Sequence, residues 1–276
     1  MEIPFSVKFQ VAVIRVMSWI FPKLSAHWAA RVFMHPQRVP RPASEQRWFE
    51  SAKKYDLSSG EKAFEWGSPQ GPLVFLLHGW NGRGTQLGAF SDPLVARGYR
   101  VLAVDGPAHG ESPGEETNAG DFARFLLRIQ KELGPIKAVI AHSFGGGGTV
   151  LGIHWGLQVE KLVLIGTPAR YDVILKNFVK IVKISPRAEK HFFEIVGKKV
   201  GIAPVDMRID SLGRDFNLPA LIVHDKGDRE VPFEVAEKIY QTWAHSELLA
   251  TEGLGHRRIL KDEKVLEAVT EFIDKK

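Results

Sequence analysis

In the stretch VIAHSFGGGG, residues 139 to 148, a single serine, Ser143, stands between an apolar run and four consecutive glycines. Glycine inside a helix costs about 1 kcal/mol relative to alanine, so four in a row need a compensating purpose. The apolar run predicts a strand and the following segment a helix, which leaves only a few residues for the change of direction. Such a turn tolerates little bulk, and Ala141, Gly145 and Gly146 supply none. It would lift the Ser143 hydroxyl clear of the sheet edge and aim N–H groups of the new helix at whatever the hydroxyl attacks. Gly147 and Gly148 lie beyond the turn, and close packing of helix on sheet is the expected reason for them. A serine at its ordinary pKa is a poor nucleophile and needs a general base, most often histidine. The chain has ten histidines and no cysteine, which excludes a cysteine nucleophile, a thiolate metal site and a disulfide framework.

A serine turn of this kind presupposes a sheet. Short apolar runs at 72 to 77 (PLVFLL), 100 to 104 (RVLAV), 137 to 141 (KAVIA), 161 to 166 (KLVLIG) and 220 to 224 (ALIVH) predict strands. Their hydrophobicity is continuous rather than alternating, the pattern of a parallel sheet covered on both faces. TQLGAFSDPLVARG, AGDFARFLLRIQKELG and GGTVLGIHWGL supply crossover helices, and WFESAKKYDL with KAFEWG an antiparallel hairpin before them. The expected fold is α/β, a doubly wound, mostly parallel sheet.

About fifty residues separate KLVLIG from ALIVH, too many for a structureless loop. They read as two amphipathic helices joined at Pro186, with Lys176, Lys180 and Lys183 on one face of the first and Ile174, Phe178, Ile181 and Val182 marking apolar surface. The expectation is a two-helix cap insertion at about 168–212, set over the carboxyl ends of the strands of a core spanning 43–276.

Residues 1–42 form a basic, helical N-terminal extension. Their longest uncharged runs fall far short of the roughly 20 apolar residues of a membrane span, and Glu2 and Arg15 break the pattern of a signal peptide. Two expectations follow: a helix docked on the domain, with Lys8 and Arg15 on a solvated edge, or an interfacial helix with Trp19 and Trp28 at headgroup level. The expected location is the cytoplasm, with the membrane surface as the alternative.

At this point AHSFGG resembles the nucleophile elbow of the α/β-hydrolase superfamily, and the similarity extends over roughly residues 45 to 276. Ala141 departs from the glycine many members carry there, without adding bulk. Four further segments stand in the family's order. By resemblance, LLHGWNGRG forms the entry to an oxyanion hole, where the backbone N–H of Trp80 joins that of Phe144, with His78 structural. VDGPAHGES is similar to the family's D-x-x-G-x-G-x-S turn, with His109 bonded locally. VHDKGDREVP carries the acid, for which Asp228 is preferred over Asp225, a loop-capping residue by its position directly after the strand. EGLGHRRIL supplies His256, while His245 belongs to a surface helix.

The order Ser143, Asp228, His256 is that of α/β-hydrolases and implies a serine hydrolase cleaving a carboxylic ester through an acyl-serine intermediate. A serine nucleophile separates the chain from relatives on this fold that attack with a carboxylate or a cysteine. Thioester, amide, carbon–carbon and perhydrolytic chemistry use the same triad, and a noncatalytic binding protein on this fold is the alternative from another class. Phe178, Phe192 and Phe193, with Trp80 and Phe144, are candidates for an apolar acyl pocket, and Arg83 for a substrate carboxylate or a solvated loop position. The partner expected is a small-molecule ester or acyl substrate, with no metal or organic cofactor.

Charge is regional. Residues 1–42 net +5, and Arg170 to Asp210 carries nine Lys or Arg against five Asp or Glu, in a chain of formal charge +5. Without a helix-turn-helix, zinc-ligand spacing or aromatic RNA-binding motif, this basicity does not point to nucleic acid. It fits an anionic or membrane-borne substrate, or membrane contact through residues 1–42.

Overall fold

The computed structural model describes residues 5–275, with side chains from Phe9 onward, so Glu2 and the Lys8 side chain lie outside the described residues. Among them are strands β1 (Lys53–Asp56), β2 (Lys62–Trp66), β3 (Leu73–Leu77), β4 (Arg100–Val104), β5 (Ile136–His142), β6 (Val159–Ile165), β7 (Ala220–Asp225) and β8 (Ser246–Thr251). The helices begin with α1 (Phe5–Ile20), α2 (Pro22–Met34), α3 (Gln46–Ser51), α4 (Ser91–Ala96), α5 (Ala119–Leu133) and α6 (Phe144–His154). They continue with α7 (Tyr171–Val182), α8 (Pro186–Val200), α9 (Ile209–Leu212), α10 (Glu234–Thr242), α11 (Gly255–Arg258) and α12 (Glu263–Asp274).

The chain divides into two compact units, one of Pro36–Ala169 with Ile209–Lys276 and one of the chain up to His35 with Arg170–Arg208. In the larger unit the sheet order is β1-β2-β4-β3-β5-β6-β7-β8, antiparallel across β1, β2 and β4 and parallel from β4 onward. Its two faces explain the continuous hydrophobicity. Val74, Leu76, Ala138, Ile140, Val163 and Ile165 pack on one side with Leu94, Val265, Val269 and Phe272. The intervening Phe75, Leu77, Val139, Ala141, Leu162 and Leu164 pack on the other with Phe122, Phe125, Ile129 and Val150. Alternate side chains of the central strands thus enter opposite, largely apolar cores.

Local signals fix the flanking helices. Asn118 Oδ1 accepts from the Asp121 N–H and Asp121 Oδ2 from the Asn118 N–H, each at 3.1 Å, a reciprocal cap that starts α5. The buried Lys161 Nζ donates to Phe272 O at 2.7 Å and Ile273 O at 3.2 Å, satisfying terminal carbonyls of α12.

The smaller unit joins two segments that the sequence suggested were separate, the N-terminal helices and the insertion. Small residues Ser25, Ala26, Ala29 and Ala30 let α2 lie close on α8, whose Ala188, Phe192, Val196 and Val200 form its buried stripe. Ser18 Oγ accepts from Ser185 N–H at 2.9 Å, and Ser185 Oγ donates to Ser18 O at 2.6 Å. Arg15 is not on a solvated edge: its Nε donates to Val182 O at 3.0 Å and caps the end of α7. On α7 the buried stripe is Tyr171, Leu175, Val179 and Val182, whereas Ile181, expected on the apolar face, is exposed beside exposed Lys180 and Lys183. The N-terminal segment belongs to this unit only as far as His35. Residues 36–42 lie with the sheet, where Arg38 donates to the carbonyls of Gly110, Ser112 and Gly114.

Candidate active site

Ser143 is where β5 ends and α6 begins. Its φ of +52° and ψ of −122° are a sparsely populated conformation for a residue with a side chain, held here by the Ser143 N–H donating to Ile165 O at 2.8 Å. The neighbours permit it by lacking bulk. A Cβ on Gly145 would lie 2.5 Å from His78 O, and one on Gly146 would overlap Thr167 Oγ1. Gly148 answers a different need from the one expected: a Cβ there would lie 2.6 Å from Phe122 Cβ, so it brings α6 close to helix α5 rather than to the sheet. Phe144 opens α6, so its N–H has no intrahelical carbonyl to bond.

The loop after β3 lies against this turn. A Cβ on Gly79 would sit 2.9 Å from Ser143 Cβ, and the next residue, Trp80, meets the Phe144 ring edge-on at 5.0 Å between centroids. His78 anchors the loop from within: its Nδ1–H donates to Gly79 O at 2.7 Å and its Nε2 accepts from Gly106 N–H at 2.8 Å. Complete burial drives its pKa well below the usual histidine range. The buried carboxylate of Asp105 accepts from Gly84 N–H at 2.7 Å and Glu111 N–H at 2.8 Å, tying the same loop to the turn after β4. In that turn His109 Nδ1 bonds Pro107 O at 3.0 Å, and burial lowers the ring's pKa to about 4.

Asp225 and Asp228 have different partners. Asp225 Oδ1 accepts from Gly227 N–H at 2.9 Å, and its Oδ2 accepts from Thr251 Oγ1 at 2.8 Å and Leu254 N–H at 2.9 Å. It braces the loop. Asp228 Oδ2 lies 2.7 Å from His256 Nδ1, while its Oδ1 accepts from Glu230 N–H at 2.8 Å and Val231 N–H at 3.0 Å. Burial pushes the Asp228 pKa up, but the hydrogen bond with His256 and the two backbone donors outweigh it and leave it below the usual carboxylate value. Nδ1 of His256 therefore donates to the Asp228 carboxylate, while Glu230 Oε2 lies 3.8 Å from Nε2.

His256 is buried, and its carbonyl accepts from His142 Nε2–H at 2.9 Å with the two rings 4.6 Å apart. A Cβ on Gly166, next to the Ile165 carbonyl that holds Ser143, would lie 3.1 Å from the His256 ring. Ser143 and His256 therefore share the neighbours His142 and Gly166, although no hydrogen bond joins Ser143 Oγ to His256 among the described residues. A cavity of about 570 Å³ opens beside His256, lined among others by Arg229, Glu230, Leu254 and Arg257.

His245 is exposed. The remaining candidates have partners of their own. Arg83 is buried, donating to Pro40 O at 3.0 Å with Glu45 3.7 Å away, which leaves it neither solvated nor open to a substrate. Phe178 and Phe192 stack at 5.4 Å and meet Phe33 edge-on, and Phe193 packs on Phe192, so these rings build the aromatic core of the smaller unit. Sequence reasoning passed over His142 and Asp105. The first was signalled by a polar residue closing an apolar strand next to Ser143, the second by an acid opening VDGPAHGES.

The chain resembles a broad set of known proteins. It is 24% identical to the AB hydrolase superfamily protein YisY of Bacillus subtilis over 73% of this chain and 91% of YisY. It is 27% identical to the lysophosphatidylserine lipase ABHD12 of Danio rerio over 82% of this chain and 63% of that protein. Among solved structures, the esterase EaEST of Exiguobacterium antarcticum superposes with a TM-score of 0.60 at 20% identity, covering 81% of this chain and all of that one. A meta-cleavage product hydrolase of Pseudomonas fluorescens superposes with 0.61 at 18% identity, covering 82% and 98%. Residues 74–216, from β3 through the elbow to the end of the insertion, match the profile of the alpha/beta hydrolase family. That match takes in more than half of the sequence and both turns that meet at Ser143, and the chain belongs to the alpha/beta hydrolase family.

Proposed function

We propose that this protein is a serine hydrolase that cleaves a carboxylic ester of a small or medium acyl group. Ser143 Oγ attacks the acyl carbon while His256 Nε2 takes its proton. The proton then passes to the departing alkoxide, and water activated by the same nitrogen releases the acid. Asp228 holds the imidazole with Nδ1–H toward itself and stabilises the cation that forms. The N–H groups of Trp80 and Phe144 hold the developing oxyanion, a contribution of about 3 to 4 kcal/mol per donor in well-studied hydrolases. The observation that carries the reading is the 2.7 Å contact of Asp228 Oδ2 with His256 Nδ1, on a loop whose neighbours also hold the Ser143 turn. The esterase and lipase names among the similar proteins support an ester, and the meta-cleavage product hydrolase beside them makes carbon–carbon cleavage the second reading.

Intact-mass measurement after exposure to a fluorophosphonate tests the proposal. A single adduct is expected on the wild type and none on Ser143→Ala, followed by turnover of a p-nitrophenyl ester series whose chain-length profile sizes the acyl site. A folded wild type that takes no adduct would overturn the reading in favour of a binding protein.

A further inference from the structure

Helix α1 is amphipathic the wrong way round for a protein in water. Every exposed residue it shows from Phe9 onward is apolar: Phe9, Ala12, Val16, Trp19 and Ile20. These positions fall on one stripe of a 3.6-residue helix, and the stripe runs on through exposed Phe21 and Leu24 at the start of α2. Apart from Ala12, each is more than half exposed, and Trp19 reaches 71%. Arg15 and Ser18 point the other way. Ser18 is buried in its hydrogen bonds with Ser185, and Arg15 is spent on the carbonyl of Val182. A surface helix ordinarily hides its apolar stripe and shows its polar one. Contiguous apolar surface of this kind marks an interaction site.

The charge around the stripe identifies its occupant. No Asp or Glu occurs between Glu2 and Glu45, while Lys23, His27 and Arg31 are exposed one turn apart along α2. At the end of α7 that Arg15 caps, exposed Ile181 stands between exposed Lys180 and Lys183. The unit formed by the chain up to His35 and Arg170–Arg208 holds thirteen Lys or Arg against five Asp or Glu, net +8, so the rest of the +5 chain is net −3. Two copies meeting through this face would set two strongly cationic units together, whereas an anionic lipid surface complements both the apolar stripe and its rim. No described helix is long and apolar enough to cross a membrane, and a one-sided stripe of this kind suits the plane of the interface.

We propose that the α1–α2 face docks this protein on the surface of an anionic phospholipid bilayer, with Phe9, Val16, Trp19, Ile20, Phe21 and Leu24 in the acyl boundary and the cations of α2 and α7 among the headgroups. Trp28, which the sequence placed beside Trp19 at headgroup depth, is half-buried in the unit and takes no part.

The test is co-sedimentation of the full chain with phosphatidylcholine vesicles, either pure or containing about one third phosphatidylglycerol. Binding to the anionic vesicles is expected, about tenfold or more weaker on the neutral ones and weakened by salt. Trp19→Ser with Ile20→Ser, and separately Phe9→Ser with Val16→Ser, should each cut partitioning about tenfold or more. Both leave the melting temperature near that of the wild type, because these side chains face outward. Lys23→Glu with Lys180→Glu should lower binding to the anionic vesicles alone. Absence of wild-type binding, or binding indifferent to both serine pairs, overturns the proposal. A dimer in solution that the serine pairs disperse, without vesicle binding, overturns it in favour of a second copy as the occupant.

Discussion

The backbone of Gly79 lies against the Ser143 side chain so closely that a Cβ on Gly79 would be 2.9 Å from Ser143 Cβ and 3.3 Å from His142 Nδ1. No real Cβ accepts that separation, so Gly79→Ala must push the loop carrying Trp80 away from the elbow. In the proposed mechanism Trp80 N–H holds the oxyanion, and misplacing such a donor slows acyl transfer. Fluorophosphonate labelling of Gly79→Ala should slow about tenfold or more, with the melting temperature lowered by only a few degrees. A wild-type labelling rate would show that the loop takes no part in the chemistry.

The two aspartates of the β7 loop separate activity from stability. Asp228→Asn keeps the volume but offers His256 Nδ1 a weaker and ambiguous partner, and a loss of about 10⁴-fold in turnover is expected from the misplaced tautomer. Asp225→Asn disturbs the acceptor of Gly227 N–H, Thr251 Oγ1 and Leu254 N–H, which should cost about 1 to 3 kcal/mol of stability while labelling persists. Comparing labelling with urea midpoints for both variants checks this. The reverse pattern would move the acid to Asp225.

The centre of the sheet was legible because its strands are buried on both faces: RVLAV at 100 to 104 is β4 to the residue, and ALIVH lacks only the Asp225 that closes β7. The Ser143 turn was legible for the same kind of reason, since one backbone constraint there rules out most residue types. The union of the N-terminal helices with the insertion was not, because it rests on long-range pairs such as Ser18 with Ser185 and Phe33 with Phe192, which leave no periodic trace. Nor was the role of Gly148, since a glycine announces that something lies close without saying whether it is a strand or Phe122.

Gly146, two residues earlier on α6, is crowded by a different neighbour. A methyl group there overlaps Thr167 Oγ1 and lies 2.7 Å from Thr167 Cγ2, in a buried site with little room to relax. Gly146→Ala should therefore cost about 1 to 3 kcal/mol in a urea unfolding series. Introduced into Thr167→Gly, the same substitution should cost about 1 kcal/mol less, because the atoms it strikes are gone. Additive costs would mean that the backbone of α6, rather than the side chain of Thr167, resists the methyl group.

Four buried histidines, His78, His109, His142 and His224, have pKa values pushed down by burial, to about 4 for His109 and about 3 for His142. Each is neutral in the folded protein at pH values where its unfolded counterpart, with the ordinary 6.5, binds a proton. The unfolded state then holds more protons, so stability rises with pH. The contribution is complete above about 6.5 and is lost as pH falls toward the folded value. For His109 the shift from 6.5 to about 4 corresponds to roughly 3 kcal/mol. Asp225 and Asp228, whose carboxyls are held low by hydrogen bonds, act with the same sign but in a lower window, below the ordinary 3.8. The fall in urea midpoint between about pH 6.5 and pH 4 should thus belong to the histidines and shrink in His109→Asn, measured against the same variant at neutral pH. A midpoint that stays flat to about pH 4 would mean that these rings gain their protons without opening the fold.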